Sequence, residues 1–136
     1  MATLKGKSVL ITGGGSGIGR GVAQHFVQRG AKVVITGRRE EKLIETCEEI
    51  SGDIAYFTAD VTEDGDRKSM ISKALAHGGK LDALISNAGN MYRCDVADFD
   101  EEKLIEVFHA NVIGGMMLVK EAFANLKESK GCVVFV

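Results

Sequence analysis

Residues 12–19 read TGGGSGIG, and the spacing of the glycines, more than their number, carries the chemistry. The pattern G-x-G-x-x-G fails, because Gly13 and Gly15 are followed by Ile18 where a third glycine would stand. Gly13, Gly17 and Gly19 satisfy G-x-x-x-G-x-G instead. A turn stripped of side chains lets backbone N–H groups close on a pyrophosphate, which then rests on the positive end of the following helix. Gly13, Gly15, Ser16, Gly17, Ile18 and Gly19 are therefore the candidate phosphate cradle. A purely structural glycine turn is the competing reading; the placement between a first strand and a first helix favours the cradle.

A second cluster says which nucleotide is expected. About 20 residues past the glycines, a ribose-binding carboxylate is the usual partner of an adenosine 2′-hydroxyl. Here that place holds Gly37, followed by Arg38 and Arg39. Glycine leaves room, and a guanidinium can clamp a 2′-phosphate with paired hydrogen bonds. The expected cofactor is NADP(H), with NAD(H) the weaker alternative and Arg38 the main contact. Arg39 reads equally as a solvated residue opening the next helix.

These residues need elements to hold them. Apolar, β-rich runs at 8–12, 32–36, 54–59, 81–86 and 132–136 alternate with helical periodicity at 18–28, 40–50, 64–77 and 100–128. Such alternation predicts βαβ units, right-handed crossovers and a parallel sheet. The last run, Cys132 to Val136, reads as a strand buried on both faces. The hexapeptide EEKLIE opens two helical stretches, at 40–45 and 101–106, with acids at the positive helix end and Leu and Ile toward the sheet.

Four motifs in order resemble the short-chain dehydrogenase/reductase family. TGGGSGIG is similar to its glycine motif. Ala59-Asp60-Val61 follows the third strand, where the family holds adenine through the acid and the next N–H. Ser86-Asn87-Ala88-Gly89 is similar to the element that shapes the cofactor site, and Asn111 to an asparagine of the catalytic machinery. The resemblance covers essentially the whole chain. It implies an α/β, Rossmann-like, doubly wound parallel sheet of order 3-2-1-4-5, in a single domain over residues 1–136. It also implies an oxidoreductase interconverting a small-molecule carbonyl and alcohol by hydride transfer. Ser16 departs from a habit of NADP-preferring members, which often carry a basic residue there. Taken alone, Asp60 reads as a cap or turn acid, Asn87 and Gly89 as a turn, and Asn111 as a mid-helix asparagine needing partners.

The family's remaining catalytic residues, a serine and a Tyr-x-x-x-Lys helix, do not occur in these residues. Tyr56 is followed four positions later by Asp60, and Tyr92 by Val96. The chain is thus expected to be an incomplete domain, inactive alone. A non-catalytic nucleotide-binding regulatory or scaffolding module is the alternative, and a methyltransferase a distant third. Tyr92 and Arg93 are either the border of a substrate pocket or plain loop.

A net charge of −2, with mixed signs, gives no case for nucleic acid or anionic membrane. Cys47, Cys94 and Cys132, odd in number and far apart, suit a reducing compartment, and a cytoplasmic protein is expected. His25, His77 and His109 share no metal-ligand spacing and are placed on helix surfaces or ends. The long helix predicted at 100–128, with Met116, Met117 and Phe123, resembles the family's subunit-contact helix and implies a homo-oligomer.

Overall fold

The computed structural model describes residues 3–136. Its strands are β1 (Ser8–Thr12), β2 (Lys32–Gly37), β3 (Ile54–Thr58), β4 (Ala83–Ser86) and β5 (Cys132–Phe135). They form one parallel sheet in the order β3-β2-β1-β4-β5, as expected. The helices are α1 (Gly17–Gln28), α2 (Glu40–Glu49), α3 (Asp64–Gly78), α4 (Glu101–Phe108) and α5 (Gly114–Ser129).

The two-residue period of a strand sorts the core into two layers. Val9, Ile11, Val33 and Ile35 face α1 and α2, where they bury Ala23, Val27 and Leu43. Leu10, Val34 and Leu84 face α3 and α5, against Met70, Ala74, Leu118 and Ala122. A helix on each side explains why β1 is buried along its whole length.

Helix ends follow local chemistry. Both EEKLIE copies do open helices, α2 and α4. In α4 the Asp100 carboxylate accepts from the N–H groups of Glu102 and Lys103, at 3.0 and 3.3 Å. Helix α3 stops where Gly79 turns left-handed at φ +79°.

Two expectations are corrected. The helix predicted over 100–128 is interrupted: a π-helical turn, His109–Ile113, separates α4 from α5. The start of α5, just after this turn, is closely packed. A Cβ on Gly114 would lie 2.9 Å from the Val61 carbonyl oxygen, and one on Gly115 2.7 Å from Ser86 Oγ. Strand β5 is also not buried on both faces. Val133 packs toward α5, but Val134 and Phe135 are 46% and 58% exposed. Among the described residues β5 pairs with β4 alone, and α1 and α2 lie over β1, β2 and β3 on the other face.

Candidate functional site

In the strand order, the chain reverses direction across the sheet between β1 and β4. Ligands of open α/β sheets gather at such a point, outside the carboxyl ends of the strands. The glycine turn leaves β1 there. Gly13 and Gly17 adopt φ of +68° and +52°, the left-handed region that favours glycine. Gly19 answers a different need: a Cβ there would sit 2.1 Å from the Gly13 carbonyl oxygen and 2.6 Å from Asn87 Nδ2. Ser16 is extended and makes no capping bond, so no side chain from that position occupies the first amides of α1.

Thr12 and Asn87 fasten the turn to the end of β4. The buried Thr12 hydroxyl accepts the N–H groups of Asn87 and Ala88, at 3.0 and 2.9 Å. Asn87 Nδ2 donates in turn to the carbonyls of Thr12 and Gly13, both at 3.1 Å. A second tie runs to β2, where the Gly14 N–H meets the Thr36 carbonyl at 3.0 Å.

Asp60 follows β3. Its Oδ1 accepts the Thr62 N–H at 2.9 Å and the Thr62 hydroxyl at 2.8 Å. Partial burial pushes this carboxyl up. The two Thr62 bonds and the charges of Arg38 and His109 outweigh that, and it ends below the usual aspartate value. Asp60 is thus an anion at neutral pH, facing two basic side chains. Arg38 is exposed at the end of β2 and, among the described residues, forms no ion pair. Arg39, beside it, precedes the first turn of α2.

These elements enclose an open cleft of about 980 Å³. Gly13, Gly15, Ser16, Gly17 and Ile18 line one side, Gly37 and Arg38 another, Asp60 and Val61 a third, and Asn87, Ala88 and Gly89 the last. Of the residues singled out in the sequence, Gly19 and Asn111 do not line it. Asn111 is exposed on the π-helical turn and clasps the backbone of Asn90. It accepts the Asn90 N–H at 2.7 Å and donates to the Asn90 carbonyl at 2.9 Å. Gly89 makes room for that clasp, since a Cβ there would meet Asn111 Oδ1 at 2.8 Å.

Other residues went unrecognised in the sequence. His109 stands at the end of α4 as expected, and it also lines the cleft with Glu106. Thr12 and Asn90 also line the cleft, and only Thr12, the residue joining strand to glycines, had a readable signal. Tyr92 is not in the lining. Its hydroxyl donates to the Asp98 carbonyl and accepts the Asp100 N–H, each at 3.2 Å, and so staples its own loop. Among the described residues no cluster of His, Cys, Asp or Glu could hold a metal.

The cleft fits a dinucleotide. Its volume suits a cofactor-sized molecule. A Cβ on Gly17 would meet nothing within 4 Å, so the turn is open there, and the Arg38 guanidinium and the Asp60 carboxylate stand on different sides of the cleft.

Comparison with known proteins agrees with this geometry. The family model of short chain dehydrogenases matches residues 7–136. A cis-2,3-dihydrobiphenyl-2,3-diol dehydrogenase of Paraburkholderia xenovorans is 40% identical, covering 97% of this chain and 50% of that protein. A short chain aldehyde dehydrogenase of Euphorbia lathyris is 38% identical, over 97% and 48%. Among solved structures, a short-chain dehydrogenase/reductase of Caenorhabditis elegans with cofactor superposes with a TM-score of 0.90 at 34% identity, covering 96% of this chain and 52% of that one. A 3-ketoacyl-(acyl-carrier-protein) reductase of Brucella melitensis, complexed with NADH, gives 0.88 at 32%, over 93% and 52%. The chain thus spans about half the length of the relatives it matches. With the motifs, the sheet order and the family model in agreement over 7–136, the chain belongs to the short-chain dehydrogenase/reductase family.

Proposed function

We propose that the whole protein is an NADP(H)-dependent oxidoreductase that interconverts a carbonyl and a secondary alcohol. When bound, the nicotinamide supplies or accepts a hydride. The glycine turn and the amides opening α1 hold the pyrophosphate. Asp60 and the Val61 N–H hold adenine, and Arg38 pairs with the 2′-phosphate. The observation that carries the NADP assignment is the exposed Arg38, free of ion pairs among the described residues, beside Gly37 where an acid would select NAD. Neighbouring Arg39 adds to the positive field.

In this reading Asn111 fixes the Asn90 backbone, and with it the wall beside Gly89. Proton transfer belongs to a serine and a Tyr-x-x-x-Lys pair outside these residues, and the 1–136 segment is the cofactor half of a longer domain. Twofold longer relatives support that division. The same relatives, dehydrogenases of a diol and an aldehyde, support a small-molecule substrate. The exposed Phe108, Val112, Met116 and Phe123 along α4 and α5 support a homo-oligomer. No helix among the described residues is long and apolar enough to cross a membrane. A cytoplasmic location is part of the proposal.

Because no Tyr-x-x-x-Lys occurs in 1–136, a non-catalytic nucleotide-binding module is the second reading. Steady-state oxidation of NADPH and NADH by the full-length protein, with aldehydes and ketones, separates the two. The enzyme reading expects turnover preferring NADPH. Arg38→Ala should lower kcat/KM for NADPH by about tenfold or more, the scale of a lost charge-assisted contact, and spare NADH. Binding without turnover supports the module, and an NADH preference in both proteins contradicts the role of Arg38.

A further inference from the structure

Arg67 lies outside every motif described so far, yet only 7% of its side chain is exposed. A guanidinium so placed destabilises a fold unless it is well paired. Its pairing is thin. Nη2 lies 3.5 Å from Asp64 Oδ1, on a side chain that is itself 58% exposed, and Nε is buried with no partner among the described residues. The one short bond runs from Nη1 to the Val61 carbonyl oxygen, at 2.9 Å.

That carbonyl belongs to the peptide group whose N–H, on Thr62, donates to Asp60 Oδ1. The guanidinium therefore polarises a single amide that in turn binds the carboxylate of the cleft. Hydrogen bonds in series strengthen one another in a low-dielectric setting. The same stretch of α3 grips the segment again, because Asp66 accepts the Asp60 N–H at 2.7 Å. From the other side Gly114 closes on the Val61 oxygen, leaving no room for a Cβ. The peptide between Val61 and Thr62 is thus clamped between α3 and the start of α5.

We propose that Arg67 is a positioning residue for the adenine end of the cofactor, fixing the Val61–Thr62 peptide so that Asp60 and the Val61 N–H present a preformed edge to the base. The inference rests on the nucleotide reading of the cleft. Of the residues that α3 buries, Arg67, Met70, Ile71 and Ala74, Arg67 alone is charged.

The test uses the full-length protein and adenosine 2′,5′-bisphosphate, which carries the adenosine end alone. Arg67→Met should weaken its binding about tenfold, the scale of one lost charge-assisted bond. Its melting temperature should hold or rise, because a buried charge with no buried counter-charge has gone. Arg67→Lys keeps a donor for the Val61 oxygen and should restore most of the affinity. Carbon-13 titration of the Asp60 carboxyl, which needs no ligand, should move to higher pH in Arg67→Met. Unchanged binding with an unchanged Asp60 titration overturns the inference alone. So does an Arg67→Met protein that cannot fold, which would assign the guanidinium to the fold. A wild-type protein that does not bind the bisphosphate overturns the nucleotide reading, and this inference with it.

Discussion

Gly19 contributes nothing to the cleft surface, and yet the site depends on it. Helix α1 starts close enough to β1 that any side chain at 19 would strike the Gly13 carbonyl and the Asn87 amide. Gly19→Ala should therefore push the cradle open. A forced overpacking of this kind destabilises by about 1–3 kcal/mol. Chemical denaturation should register that loss, and nucleotide binding should fall further than stability, because the displaced atoms form the turn. An alanine variant with wild-type stability and affinity would contradict the packing account. Arg38 works differently. It is exposed, so its replacement should alter cofactor choice and leave the fold alone. The glycines were legible from spacing, since a chain has few other reasons to place them at 13, 17 and 19. Arg67 and His109 were not legible. Their importance comes from what the fold brings to them, and an arginine or histidine in a helix usually faces solvent.

Between α4 and α5 the chain looks like one amphipathic helix in sequence, and the π-helical turn leaves no period that a sequence pattern can reveal. Beside it Gly114 and Gly115 pack against the Val61 carbonyl and the Ser86 hydroxyl, contacts distant in the chain. The turn presents Asn111 to the Asn90 backbone, which ties α4 and α5 to the loop after β4. Losing this two-bond clasp in Asn111→Ala should cost about 1–2 kcal/mol locally, as neutral hydrogen bonds do. Amide hydrogen exchange at Asn90 should accelerate by about tenfold, the rate equivalent of such a local loss. Exchange as slow as in the wild type would show that the loop is held by other contacts. The bounds of β1 and β2, by contrast, were legible to within one residue, because buried parallel strands combine β-branched runs with flanking glycines, whereas β4 starts two residues later than the run at 81–86.

On the scale of the molecule, the amino ends of the strands serve stability and the carboxyl ends serve the ligand. Asp82 is the acidic anchor of the first end. It accepts the Ser8 N–H at 2.9 Å and lies 3.3 and 3.5 Å from Lys80 and Lys7. Burial raises its carboxyl, but the Ser8 amide and the two lysines prevail, and its value falls below the ordinary one. A lowered folded-state value stabilises the protein above the unfolded value and ceases to do so as pH falls through the folded one. Stability should thus hold at neutral pH and decline below about pH 4, where unfolded aspartate begins to bind protons. Asp82→Asn should flatten part of that decline, measured by thermal melts from neutral to acid pH. An acid limb identical in both proteins would remove Asp82 from the account. The parallel βαβ units were legible at this scale from the alternation of strands and helices, and the sheet order from the resemblance to the family. The exposure of β5 was not, because β-branched composition alone does not say which faces are covered.

All three scales meet in the claim that this cleft holds a pyridine dinucleotide by its pyrophosphate and its 2′-phosphate. Titration calorimetry of the full-length protein with NADP⁺ and then NAD⁺ tests it most directly. The account predicts saturable heat from both, with NADP⁺ at least about tenfold tighter, the scale of the added phosphate–guanidinium contact. A folded protein that gives no binding heat with either cofactor, across temperatures that exclude a chance zero of enthalpy, would contradict it.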